Sequence, residues 1–103
     1  MTDRLEALKT LAAANPRDAF AHYGLAMACA GAGQLEEALA EFQHVLSVDP
    51  DYTVAYFQTG QALEKLGRVE EARQLYQRGV EVTSRLGQAH AREQLESALE
   101  LLG

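Results

Sequence analysis

The sequence predicts an all-α solenoid of about six helices, packed as antiparallel pairs within one domain spanning residues 1–103. Three observations predict it. The chain repeats itself at an interval of 34 residues: Asn15-Pro16-Arg17-Asp18 returns as Asp49-Pro50-Asp51, and Ala21, Ala28, Gly33, Glu36, Glu37, Ala38, Gln43 and Val48 meet Ala55, Ala62, Gly67, Glu70, Glu71, Ala72, Gln77 and Val82. Each repeat is divided at one glycine, with Ala- and Leu-rich, proline-free stretches on both sides. Apolar residues in those stretches recur at spacings of three and four, which is helical spacing. A fixed period of 20 to 50 residues in one chain is the mark of stacked supersecondary units.

The elements follow in order. Residues 2–14 read as a leading helix with Leu5, Leu8 and Leu11 on one face, the second half of a pair whose first half is absent. Repeat 1 spans residues 19–52. Its first helix, 19–31, starts after Asp18, whose carboxylate is placed to accept the free N–H groups of a first turn, and Asp51 stands similarly before the helix of 53–65 in repeat 2, residues 53–86. Gly33 and Gly67 supply a left-handed turn. Leu35-Glu36-Glu37-Ala38 and Val69-Glu70-Glu71-Ala72 then open second helices with carboxylates in the first turn, where the helix dipole favours them. Leu35, Ala38, Leu39, Phe42, Val45 and Leu46 form the apolar stripe of one second helix, and Val69, Ala72, Leu75, Tyr76 and Val80 that of the other. A closing helix, 88–102, carries Ala91, Leu95, Ala98, Leu99 and Leu102; it aligns with the first helices at an offset of 36, implying two extra residues near Arg85 to Gly87. Gly79 stands in mid-helix, where glycine is costly, so a close crossing with the closing helix is expected, at which alanine would be mild and leucine would not fit.

Composition narrows the function. A net charge of −6 gives nucleic acid no electrostatic reason to bind. The longest apolar runs, residues 11–14 and 25–30, are far below the roughly 20 residues of a membrane helix, so a cytoplasmic protein without a membrane partner is expected. One cysteine, Cys29, excludes an internal disulfide and a thiolate metal cluster. It lies on the apolar line of Leu25 and Ala26 with no Lys or Arg between Asp18 and Lys65, and so reads as a buried small hydrophobe. His22, Cys29's neighbour at seven residues, is some 10 Å away along a helix, too far for a catalytic pair. His22, His44 and His90 read as three unrelated surface or groove histidines. No catalytic residues, no metal site and no cofactor are expected, and the protein is not read as an enzyme. Charge is uneven: repeat 1 carries −5 with no cation, repeat 2 carries +1.

These residues resemble the tetratricopeptide repeat family across nearly the whole chain. In that family's 34-residue frame, begun at Ala19 and Thr53, the signature positions hold His22, Leu25, Ala26, Cys29, Ala38, Phe42, Val45 and Pro50, then Tyr56, Thr59, Gly60, Leu63, Ala72, Tyr76, Gly79 and Ser84. His22, Thr59, Val45 and Ser84 depart from the pattern. The resemblance implies a right-handed superhelix whose first helices line a concave groove, acting as a non-enzymatic protein-interaction module or scaffold. Its groove positions fall on Phe20, Tyr23 and Met27 in repeat 1 and on Val54, Phe57 and Gln61 in repeat 2, with Gln58 beside them. Members that grip a C-terminal carboxylate use Lys and Asn there. This chain has neither, so the resemblance implies apolar anchoring of a peptide or helix of another protein. The rival reading is self-assembly, a homodimer or larger homo-oligomer formed through the open ends of the solenoid.

Overall fold

The computed structural model describes residues 2–103, with side chains from Arg4 onward. It contains six helices and, among the described residues, no strand: α1 (Thr2–Ala14), α2 (Ala19–Gly31), α3 (Leu35–Val48), α4 (Val54–Lys65), α5 (Val69–Leu86) and α6 (Ala89–Leu102). The chain falls into two compact units, residues 1–50 and 51–103. In the first, α2 packs on both α1 and α3; in the second, α5 packs on both α4 and α6, and α4 also meets α6.

Local chemistry sets the helix ends. Asp18 caps α2, its Oδ1 accepting from the Ala21 N–H at 3.2 Å. At α4 the side chain of the leading residue Thr53 makes no cap bond, and Asp51 holds Arg85 at 2.5 Å. Gly33, Gly67 and Gly87 all take positive φ, 79°, 76° and 71°. At each, the next residue's N–H reaches back to close the helix: Gln34 to Cys29 O at 2.9 Å, Arg68 to Leu63 O at 2.8 Å and Gln88 to Thr83 O at 2.9 Å. α3 stops at Val48, just before Pro50, whereas α5 runs on through Ser84 to Leu86 because serine, unlike proline, keeps its N–H. That extension accounts for the offset of 36 in the closing helix, whose Leu95 and Ala98 are buried.

The stripe of α3 forms the centre of the first unit, with Ala38, Leu39, Phe42, Val45 and Leu46 all buried against Leu25, Ala26 and Cys29 of α2's inner face. In α1 the buried residue is Ala12, whereas Leu11 is half exposed at 51%. In the second unit the largest fully buried side chains are Tyr56 and Tyr76, and a glycine faces each ring.

A Cβ on Gly79 would lie 2.8 Å from Leu95 Cδ1 and 2.8 Å from Tyr56 Cβ. The crossing with the closing helix is therefore real, but α4 presses from the other side as well. A methyl at the end of Leu95 gives way easily; Tyr56 Cβ, tied to its own backbone, does not. Alanine at Gly79 is thus not mild, contrary to the reading from sequence. Thermal melts should show Gly79→Ala losing about 1 to 2 kcal/mol despite its better helix propensity, and Gly79→Leu failing to fold. A parent-like melt for Gly79→Ala would mean α4 can move away.

Candidate functional site

The residues assigned to a groove are carried on the first helix of each repeat, and the structure sorts them by depth. In the first unit Phe20 is the most open, 74% exposed, and Met27 is 38% exposed. Tyr23 is half-buried because its ring rests on Phe42 of α3, centroids 5.9 Å apart. Met27 also lines a cleft of about 730 Å³ with Arg4 and Leu5 of α1 and the small residues Gly24, Ala28 and Gly31 of α2.

The second unit repeats the arrangement. Val54 is 53% exposed, and half-buried Phe57 rests on Tyr76 of α5 at 6.2 Å, the same pairing 34 residues on. Gln58 and Gln61 are half-buried. Phe57 and Gln61 come together with Glu64 in a cleft of about 490 Å³ whose other wall is Gln94, Ser97, Ala98 and Leu101 of α6. Gln61 Nε2 donates to the Tyr76 hydroxyl at 2.8 Å and weakly to Glu64 Oε2 at 3.4 Å, and the same hydroxyl donates to Glu64 Oε2. Burial, and then the Glu64 carboxylate beside it, push the Tyr76 hydroxyl well above its usual range, so it stays a donor. Phe20, Tyr23, Val54 and Gln58 line neither cleft.

Glu64 and the α6 wall are residues that sequence reasoning passed over. A signal for Glu64 existed: Phe57, Gln61 and Glu64 are spaced i, i+4, i+7 and share a helix face.

The histidines need correction. His22 is 7% exposed and its ring lies against that of His44, centroids 4.2 Å apart and planes tilted by 46°. Its Nδ1 pairs with Glu41 Oε1 at 2.7 Å, its Nε2 with the Asn15 carbonyl at 3.1 Å, and His44 Nε2 with the Pro16 carbonyl at 2.6 Å. Two of the three are therefore one structural cluster that holds the α1–α2 loop, brought together by the pairing of α2 with α3. Cys29 lies in a neighbouring cleft of about 330 Å³ that Lys9 also lines, so a cation does approach it in space. Burial, with the Glu37 carboxylate nearby, nonetheless outweighs Lys9 and pushes the thiol up. Among the described residues no group of three or more His, Cys, Asp and Glu could hold a metal ion, and no helix is long and apolar enough to cross a membrane.

Two family models described as tetratricopeptide repeat match residues 30–91 and 5–53. The chain belongs to the tetratricopeptide repeat family. A tetratricopeptide repeat domain protein from Salinibacter ruber, solved in solution, is 31% identical, covers 85% of this chain and 89% of its own, and superposes with a TM-score of 0.80. PcrH, solved in complex with the chaperone binding region of PopD, shares only 17% identity yet covers 98% of this chain and 77% of its own at a TM-score of 0.90, which shows the common fold, an α-solenoid of helix pairs. Small glutamine-rich tetratricopeptide repeat-containing protein 2 of Mycosarcoma maydis is 34% identical over 89 residues, 82% of this chain; the chain spans a quarter of that relative's length. With the family established, the glycine turns and the two aromatic pairs are the tetratricopeptide unit stated twice.

Proposed function

We infer that this tetratricopeptide chain is a non-enzymatic protein-interaction module that takes a peptide or helix of a partner protein on the apolar faces of its first helices, through Phe20, Tyr23 and Met27 in one unit and Val54, Phe57, Gln58 and Gln61 in the other. The observation that carries the reading is the exposure of large apolar side chains on those helices, Phe20 at 74%, Val54 at 53% and Met27 at 38%, beside aromatics braced from beneath by Phe42 and Tyr76. Braced aromatics with few rotatable bonds make good anchors, because little side-chain entropy is lost on binding. PcrH, which has the same fold, was solved with a segment of a partner protein, and this supports the reading.

The test separates stability from binding. Leu25, 4% exposed, should lose about 2 to 5 kcal/mol of stability on Leu25→Ala, the cost of a cavity. Phe20→Ala should leave stability within about 0.5 kcal/mol. Tyr23→Ala and Phe57→Ala fall between, since their rings are half-buried rather than open. Against a partner recovered by pull-down, calorimetry should invert the order, with each aromatic truncation weakening affinity by about 2 kcal/mol. Unchanged affinity in all three aromatic variants would reject these faces as the binding surface.

A further inference from the structure

The α4–α6 cleft of the second unit contains one charged residue, and it is an anion, Glu64. Both hydrogen bonds that Glu64 receives, from Tyr76 and from Gln61, come from neutral donors and fall on the same oxygen, Oε2. Among the described residues no cation pairs with it. Tyr76 is fully buried, so its hydroxyl holds the carboxylate in place before any ligand arrives. Apolar groups line it as well, Phe57, seated on Tyr76, and Leu101, 89% exposed, beside the neutral polar Gln94 and Ser97. A second cleft on the same stretch of α6, sharing Ser97 with the first, is lined by Glu93, Glu96 and Glu100, with Arg92 Nε 3.9 Å from Glu96.

This arrangement discriminates among ligands. A carboxylate or phosphate would set anion against anion. A purely apolar segment would cover Glu64 without giving it a partner, and an unpaired charge taken out of water is costly. A guanidinium or ammonium gains a charge-assisted hydrogen bond to an acceptor already held still. We propose that the cleft docks a partner peptide in which an arginine or lysine lies within one or two residues of a leucine-sized apolar side chain, the cation on Glu64 and the apolar group between Phe57 and Leu101. The proposal rests on the reading of the chain as a peptide-binding module and names the chemistry of the peptide.

The experiment selects random twelve-residue peptides displayed on phage against the folded chain and, in parallel, against Glu64→Gln, whose amide oxygen keeps an acceptor for Tyr76 and Gln61. Parent pools should be enriched in Arg or Lys beside an apolar residue; the Glu64→Gln pools should keep the apolar residue and lose the basic one. A synthetic peptide from the parent pool should bind about tenfold more weakly when its arginine becomes citrulline, a comparison made on the unmutated chain and so independent of the variant's folding. Equal affinity for arginine and citrulline peptides, or a basic preference that survives Glu64→Gln, overturns the proposal and leaves the broader reading standing. Selected peptides that bind Phe20→Ala and Phe57→Ala as tightly as the parent overturn the broader reading, and the proposal falls with it. A dimer seen by sedimentation equilibrium and lost in Leu101→Ser would assign the cleft to a second copy of this chain and likewise overturn the proposal.

Discussion

Gly60→Ala is expected to cost at least about 2 kcal/mol and to lower the melting temperature by about 10 °C, although alanine is the better helix former. A Cβ at that position would stand 2.1 Å from Tyr76 Cε1 and 2.5 Å from Cζ, inside the ring's own atoms. Tyr76 is 0% exposed, and its hydroxyl is tied to Glu64 and Gln61, so the ring has neither room nor freedom to retreat. Repeat 1 solves the same packing problem with a different division of volume. There Ala26 stands where Gly60 does, and Phe42 where Tyr76 does, both of them buried. Tyr76→Phe releases the ring from its polar anchor and lets it approach the arrangement of Phe42. Gly60→Ala should therefore cost less in the Tyr76→Phe background, by about 1 kcal/mol, as neighbouring sites in one packed cluster couple. Urea denaturation of the four proteins in the cycle measures this coupling. Strict additivity would mean that the hydroxyl does not hold the ring.

The same pair of residues marks the limit of what the sequence discloses. Gly33 and Gly67 were legible as turns because a left-handed residue after a helix is a local requirement, and both have positive φ. The buried stripe of α3 was legible because helical period alone assigns it a face. The exchange of Ala26 and Phe42 for Gly60 and Tyr76, and of His22 and Val45 for Tyr56 and Gly79, is not local. It is visible only when residues 16 to 23 positions apart are known to touch. The His22–His44 contact failed to be foreseen for the same reason. For the candidate site, the repeat frame names residues but not their depth: Phe20 is open while Tyr23 and Phe57 are half-buried, because Phe42 and Tyr76 lie under the latter two. The two-residue shift caused by the extended α5 was legible in the offset of 36, but that α6 meets α4 and so walls the cleft is again a non-local contact. Serine in place of proline at residue 84 was the clue to that extension.

Removal of residues 88–103 is expected to abolish cooperative melting of the second unit or to cause aggregation. α6 buries Leu95, 1% exposed, and Ala98, 6% exposed, and a Leu95 methyl lies against the space above Gly79 that no side chain of α5 fills. Without it, the side of Gly79 that Leu95 now covers would face water. Polar ties go as well: Gln88 N–H closes the end of α5 on Thr83 O, Gln88 Oε1 accepts from the Thr53 hydroxyl at 2.7 Å, and Arg73 donates to the Gly103 carbonyl at 2.9 Å. A single Leu→Ala in such a position costs about 2 to 5 kcal/mol, and a whole domain holds only about 5 to 15, so loss of the entire helix exceeds what the unit can absorb. Leu95→Ala in the full chain gives the graded control and should lower stability by that 2 to 5 kcal/mol while leaving the melt cooperative. Calorimetry on both proteins decides the matter. A soluble truncation melting like the parent would show that α6 contributes nothing to the fold, and its apolar face would then be free to serve as a binding surface in its own right.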